Sequence, residues 1–197
     1  QGCSSLDFLE ADQILIRLEK LYRRYTGESL AVKLSDFADV SERIQYLVTQ
    51  VEEITKIDNF GSYLTAMLEI DAFFMNEDRH TNNIAVIYNE KTQKYKLSPF
   101  FDQGLCMFAD INQDYPIDQS LEYCLEKIEA KPFSSDFDIQ LDAAEELYGI
   151  QIGFQFTFKD IQIYLQKNSE NYPREVIRRV EQLLRRQMRK YGYLMKK

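Results

Sequence analysis

A dense block of polar residues, 76–83, separates two apolar segments of the chain. It contains Asp78, Asn83 and the only histidine, His80, and a further carboxylate, Asp102, follows nineteen residues after Asn83. Amide and carboxylate oxygens are hard ligands that suit Mg²⁺ or Mn²⁺ shared with phosphate oxygens. An additional aspartate that binds no metal can take the proton of an attacking hydroxyl. These residue types therefore predict a divalent-cation site beside a general base.

The elements around the block predict how these side chains meet. Two short runs rich in β-formers, NIAVIYN and KYKLSPF, are joined by EKTQ and predict a β-hairpin. Asn83 begins the first run and Asp102 follows the second. Because a hairpin returns close to its own beginning, we expect Asn83 and Asp102 to lie within side-chain reach of each other. Asp78 and His80 belong to the same loop as Asn83.

The rest of the chain is predicted to be helical, so the fold class is mainly α with one small β-hairpin (α+β). Three helices precede the hairpin, the first of them capped by Ser5 or Asp7, and they are expected over residues 5–24, 36–56 and 61–75. From about residue 117 the pattern is helical again, with breaks at AKPFSSDFD and NSENYP.

Two capping patterns predict helices in the C-terminal part. Thr157 and Asp160 predict a capped helix over residues 158–167, although the alternation in GIQIGFQFTF also allows a strand. Asn171 is expected to cap the last helix, with Pro173 in its first turn.

The order Asp, four residues, Asn, hairpin and Asp-x-Gly is that of a protein-kinase-like catalytic centre. In that chemistry the loop Asp acts on the nucleophile, the Asn holds one metal ion, and the later Asp holds the metals that bridge the ATP phosphates. A simpler interpretation remains open for each residue alone. Asp78 could cap a turn with Arg79 as its surface partner, and His80 could be a hydrogen-bonded structural residue.

The segment DRHTNNIAV resembles the D-R-H-x-x-N loop of phosphoinositide 3-/4-kinases. It is still more similar to the loop of bacterial HipA-like kinases, including CtkA-type ones, whose hairpin and P-x-x-D element match SPFFDQG here. The resemblance covers residues 60–140. It implies that Asp78 is the catalytic aspartate, that Asn83 and Asp102 bind Mg²⁺ (or Mn²⁺) and so the ATP cofactor, and that His80 supports the loop.

The same resemblance implies ATP- and Mg²⁺-dependent phosphoryl transfer to a Ser or Thr hydroxyl of a protein substrate. One position departs from the pattern, because Asn82 stands where HipA proteins usually have Lys. A non-catalytic kinase-like binding module, or a toxin–antitoxin-type subunit acting through a partner, is the alternative. A cysteine hydrolase built from Cys106 and His80 lacks any local signature.

Residues 1–197 are predicted to form a single domain, the helical C-lobe alone. Lys33 in LAVKLS could suggest the nucleotide-binding lysine of an N-lobe. The residues before it are predicted to be helical and hold no Gly-rich loop, so Lys33 is expected on the surface between two helices. We therefore expect the N-lobe to be supplied in cis or by a second polypeptide, and the C-lobe alone to be nearly inactive.

Charge and cysteine content restrict the partners and the compartment. The net charge is −8, although residues 174–197 carry nine basic and two acidic side chains. The acidic remainder disfavours direct nucleic-acid binding and an anionic membrane surface. The basic segment is expected to pack on its own domain as an amphipathic helix, or else to bind an anionic partner. Three cysteines without a C-x-x-C pair and no signal-peptide pattern predict a cytoplasmic protein.

Overall fold

The computed structural model describes residues 7–196, which form eight α-helices and one three-stranded antiparallel sheet. The strands are β1 (Gln13–Arg17), β2 (Ala85–Asn89) and β3 (Lys94–Leu97). The helices are α1 (Leu18–Thr26), α2 (Leu30–Ser35), α3 (Val40–Thr55), α4 (Phe60–Phe74), α5 (Leu121–Lys127), α6 (Phe137–Tyr148), α7 (Phe158–Lys167) and α8 (Arg174–Lys190). The predicted mainly helical α+β class is confirmed. Among these helices none combines the length and apolar character needed to cross a membrane.

The sheet has the order β1-β2-β3, so β2 is its central strand. The predicted hairpin is confirmed as β2 and β3, with Val86 opposite Leu97. On the other side β2 pairs with β1, with Leu15 opposite Ile87. The first three residues of β2 are almost completely buried, which explains why the run is apolar without alternation.

The single helix predicted over residues 5–24 is wrong in its first part. Residues 13–17 form β1, and α1 begins only at Leu18, whose backbone N–H donates to the carbonyl of Ile84. The consecutive Ile14, Leu15 and Ile16 fit a strand that completes a sheet, and pairing with β2 outweighs the helical spacing. Asp7 caps a turn rather than a helix, since its carboxylate accepts from Leu9 N–H. Cys3, Ser5 and Leu6 lie outside the described residues.

The helices predicted over residues 36–56 and 61–75 are confirmed as α3 and α4 within a few residues at their ends. α4 is the central helix, and the buried set on it includes the charged Glu69 and Asp71. α6 packs across α4 and α3, and Gly61 of α4 lies directly against the ring of Tyr148. A helix enclosed on all sides has no solvent face for polar residues, so each charged side chain on α4 has a specific partner.

Two local expectations need correction. Lys33 lies within the short helix α2 rather than between two helices, and its ammonium pairs with Asp36 at the surface. Asn171 is not the cap of the last helix, because α8 begins at Arg174 with Pro173 in the N-cap position. Pro fits there because its missing N–H would have no helical partner.

The other C-terminal expectations hold. α7 spans Phe158–Lys167, and Thr157 and Asp160 form a reciprocal capping box. The strand alternative reduces to a single bridge between Phe154 and Met195. The basic helix α8 packs on its own domain, where Gln187 donates to the carbonyl of Ala72 at the end of α4.

Candidate functional site

The polar loop begins where α4 ends. Met75 closes the helix in the left-handed conformation, with a φ of 54°. Asn76 then folds back, because its side-chain amide donates to Asp71 Oδ1 over 2.8 Å and its backbone N–H donates to the Asp71 carbonyl. The loop therefore starts from a rigid point on the buried helix rather than from a free helix end.

Arg79 is completely buried at the centre of the loop. Its Nε donates to Asp71 Oδ2 over 2.6 Å and its Nη2 donates to Asp71 Oδ1 over 3.0 Å. Its Nη1 donates to two backbone carbonyls, those of Asn83 at 2.7 Å and Phe101 at 3.0 Å. One guanidinium thus joins α4, the end of the loop and the residue before Asp102. The interpretation of Arg79 as a surface partner of Asp78 is wrong.

Asp78, Asn83 and His80 lie together in this loop. The Asn83 side-chain amide donates to the Asp78 carbonyl over 2.9 Å and to Asp78 Oδ2 over 3.2 Å. His80 Nε2 lies 3.7 Å from Asp78 Oδ1. His80 Nδ1 is buried and has no hydrogen-bond partner within residues 7–196. The loop geometry therefore fixes Asp78 through Asn83 and leaves its other oxygen facing His80.

Asp102 lies just beyond the hairpin on the exposed side of the site. Its φ of 58° is in the left-handed region, which non-glycine residues rarely adopt and which concentrates at functional sites. Its carboxylate makes no hydrogen bond or ion pair to any residue that the structure describes. Because Arg79 holds the carbonyls of Asn83 and Phe101 at one nitrogen, the predicted return of the hairpin to Asn83 is present in the backbone.

The donor atoms fit a divalent cation that is shared with phosphate. Both amide hydrogen bonds of Asn83 go to Asp78 through the nitrogen, and its amide oxygen makes no hydrogen bond to the described residues, so this oxygen is available as a ligand. The exposed carboxylate of Asp102 would supply the second hard oxygen. Within residues 7–196 no three His, Cys, Asp or Glu side chains cluster as a protein-only metal site would require. Two oxygen ligands suit Mg²⁺, which keeps several waters and binds substrate phosphates.

A second group of residues beside Asp78 was not predicted from the sequence. Lys131 Nζ lies 3.7 Å from Asp78 Oδ1. The hydroxyl of Tyr115 donates a short hydrogen bond to Glu77, and burial raises the pKa of both groups. A cavity of about 160 Å³ is lined by Glu77, Asp114, Tyr115, Lys127, Glu129 and Lys131. Lys131 is 53 positions from Asp78 in the chain, and no local pattern connects them.

The arrangement of Cys106 does not favour the hydrolase alternative. Burial raises the pKa of Cys106 to about 12, with Asp71 as a further cause. The thiol is therefore protonated at neutral pH, whereas a nucleophilic cysteine requires the thiolate. No hydrogen bond joins Cys106 to His80 in the part of the chain that the structure describes.

No protein-family model, curated protein or solved structure matches this chain.

Proposed function

We propose that this chain is the helical C-lobe of a HipA-like kinase and carries out ATP- and Mg²⁺-dependent phosphoryl transfer to a protein Ser or Thr hydroxyl. One observation carries the proposal. The buried Arg79 binds the backbone of Asn83 and of Phe101 at a single nitrogen. The loop that bears a candidate base and the turn that bears a candidate metal ligand are thereby held against each other, as phosphoryl transfer by positioning requires.

Asp78 has the surroundings of a base that acts on the acceptor hydroxyl. Its side chain is 28% exposed, so a substrate hydroxyl can reach it. Asn83 holds one carboxylate oxygen and makes no hydrogen bond to the other. His80 lies beside that second oxygen and acts as a positioning residue for the loop rather than as a proton carrier.

Asn83 and Asp102 would hold the metal ion through the amide oxygen and the carboxylate. The bound ion supplies charge neutralisation on the ATP phosphates. Asn83 is held in place by its bonds to Asp78 and by the Arg79 bond to its carbonyl. Asp102 is exposed and has no protein partner in residues 7–196, which leaves its carboxylate available to the ion.

The proposed reaction also needs a second lobe that covers the nucleotide, in cis or from another polypeptide. The seven glycines include no closely spaced Gly-rich loop of the kind that covers phosphates. Aromatic and aliphatic side chains are exposed on the elements where we expect this lobe to dock, with Ile14 of β1 41% exposed and Tyr25 of α1 56% exposed. The paired rings of Tyr88 and Tyr95 lie on the adjacent hairpin.

Metal-dependent nucleotide binding tests the proposal directly. Heteronuclear NMR titration of the chain with ATP should give saturable shifts only when Mg²⁺ is present. Asp102→Asn should weaken that binding on the order of tenfold or more, because a ligand carboxylate is replaced by a neutral amide. Asp118→Asn is the matched control, since Asp118 is an exposed carboxylate in the loop before α5.

Two outcomes would contradict the proposal. If ATP fails to bind at any Mg²⁺ concentration, the non-catalytic binding module becomes the better interpretation. If Asp102→Asn and Asp118→Asn bind ATP equally well, Asp102 is not a metal ligand.

A further inference from the structure

The proposed catalytic loop offers no cation of its own to a transferred phosphate. Position 82, where the kinases that it resembles usually have Lys, is Asn. Arg79 is the only Lys or Arg in residues 76–83, and it is completely buried and bound to Asp71. Stabilising the charge on a transferred phosphoryl group normally requires a nearby Lys, Arg or metal ion. The loop therefore leaves a place for a cation from another part of the chain.

Lys131 is the cation that approaches this place. Its Nζ lies 3.7 Å from Asp78 Oδ1, and its side chain is 51% exposed. Asp78 is its only ion-pair partner among the described residues. The separation is longer than a hydrogen bond, so the ammonium keeps donors for a phosphate oxygen while it stays beside the candidate base.

The backbone that carries Lys131 is held by the buried Gln140 and the half-buried Arg43. Gln140 is 1% exposed. Its amide nitrogen donates to the Lys131 carbonyl over 3.1 Å, and its amide oxygen accepts from Phe133 N–H over 3.3 Å. The Phe133 carbonyl in turn accepts from Arg43 Nη1 over 2.6 Å. The residues on both sides of Pro132 are thus hydrogen-bonded to α6, and Phe133 is also bonded to α3. These bonds fix the position of the Lys131 backbone.

Lys127 lines the same cavity but is differently engaged. Its Nζ donates to both the carbonyl and the carboxylate of Asp114, each over 2.8 Å. The two lysines therefore differ in how closely their ammonium groups are paired. Lys127 is neutralised by the close carboxylate of Asp114, whereas Lys131 lies 3.7 Å from Asp78 without a hydrogen bond. Lys127 is a matched control for the charge of the cavity.

We propose that Lys131 binds the terminal phosphate of ATP and supplies the charge that Asn82 does not. This inference rests on the proposed kinase function. In the transfer, the acceptor oxygen bonds to the terminal phosphorus, the bond from that phosphorus to the bridging oxygen breaks, and ADP leaves with the electron pair. The hydroxyl proton goes to Asp78. Lys131 donates hydrogen bonds to the phosphoryl oxygens and exchanges no proton.

The test compares ATP with ADP, which lacks the terminal phosphate. The wild-type chain, Lys131→Met, Lys131→Arg and Lys127→Met are titrated with each nucleotide at saturating Mg²⁺, and binding is followed by heteronuclear NMR. Lys131→Met should weaken ATP binding about tenfold or more and change ADP binding less than about twofold, because charged phosphate contacts are strong. Lys131→Arg should recover most of the ATP affinity, and Lys127→Met should leave both affinities unchanged.

Each contrary result has a separate meaning. If the wild type binds ATP with Mg²⁺ and Lys131→Met binds it equally well, this inference fails while the proposed function stands. An equal loss for ATP and ADP, or an equal loss in Lys127→Met, also overturns it, because the effect then comes from the fold or from the general charge of the cavity. If the wild type binds neither nucleotide, the proposed function and this inference fail together.

Discussion

Arg79 and Asp71 form a buried bidentate ion pair, with Nε 2.6 Å from Oδ2 and Nη2 3.0 Å from Oδ1. The remaining guanidinium nitrogen holds the carbonyls of Asn83 and Phe101. Asp71 lies on the central helix, whereas the two carbonyls belong to the polar loop and to the end of the hairpin. This pair therefore connects the core of the domain to both halves of the candidate site.

Arg79→Met should destabilise the protein by about 3–5 kcal/mol, because it leaves the Asp71 carboxylate buried without its counter-ion. The two carbonyls lose their shared donor at the same time. Urea denaturation followed by circular dichroism measures the change. Arg23→Met is the matched control, since the Arg23 side chain is 62% exposed where it pairs with Glu19 and its loss should cost less than about 1 kcal/mol. Equal losses in the two variants would refute a special role for the buried pair.

The hairpin and the capping box of α7 were predictable because their signals are local, whereas the caps expected from Asp7 and Asn171 were wrong. Thr157 and Asp160 are three residues apart, and the side chain of each accepts a hydrogen bond from the backbone N–H of the other, so the start of α7 follows from four positions. The return of the hairpin likewise follows from two runs and a short turn. The expectation that Asp102 comes back to Asn83 used only that local information.

Neither the role of Arg79 nor the strand β1 could be predicted from local sequence patterns. Arg79 stands in a polar loop, and only the burial of Asp71 eight positions earlier on α4 draws it inward. The available signal was Asp71 itself, a carboxylate within an apolar helical segment, because a buried carboxylate needs a partner. β1 forms because it pairs with β2, with Leu15 opposite Ile87, and pairing between segments so far apart in the chain has no local pattern.

Asp78→Ala and Asp102→Asn should affect catalysis in different ways once the second lobe is supplied. Removing the proposed base should lower the turnover number on the order of 10²-fold or more, with nucleotide affinity nearly unchanged. Removing the proposed metal ligand should instead weaken Mg²⁺-dependent nucleotide binding. Steady-state kinetics with a Ser/Thr-containing protein acceptor separates the two effects. Full turnover in Asp78→Ala would remove this residue from the mechanism.

Glu69 should make stability depend on pH. It is completely buried on α4, where its two oxygens accept from the N–H groups of Gln151 and Ile152 at 2.8 and 2.9 Å. Burial raises the pKa of Glu69 to about 7, opposed by these two bonds and assisted by Glu145. The folded state then holds a proton that the unfolded state releases above its ordinary pKa of about 4.5. This group therefore stabilises the fold below pH 4.5, and that contribution is lost as the pH rises to about 7.

Glu69→Gln removes the titrating proton and keeps one acceptor. The variant should be less stable overall, because its amide nitrogen faces a backbone N–H. Its unfolding free energy should fall less steeply than that of the wild type between about pH 5 and pH 7. Burial also raises the pKa of Glu77 and Glu145, so some slope should remain. Denaturation curves collected across this range give the slopes, and parallel curves for the two proteins would exclude Glu69 as their source.

Gly61 permits the close approach of α4 and α6. A Cβ at this position would overlap the ring of Tyr148 on α6, so the ring or the helix would have to move. In an isolated helix the change to Ala gains about 1 kcal/mol of helix propensity. Here the overlap should outweigh that gain, and Gly61→Ala should lower the unfolding free energy by about 1–3 kcal/mol.

A double-mutant cycle attributes this loss to the Tyr148 ring. In a Tyr148→Ala background the space is open, so Gly61→Ala should become neutral or stabilising. Gly192→Ala is the control, because its Cβ would meet nothing within 4 Å. Urea denaturation of the four proteins in the cycle gives the coupling energy directly. A loss in Gly61→Ala that persists unchanged without the Tyr148 ring would mean that a contact other than this ring requires glycine there.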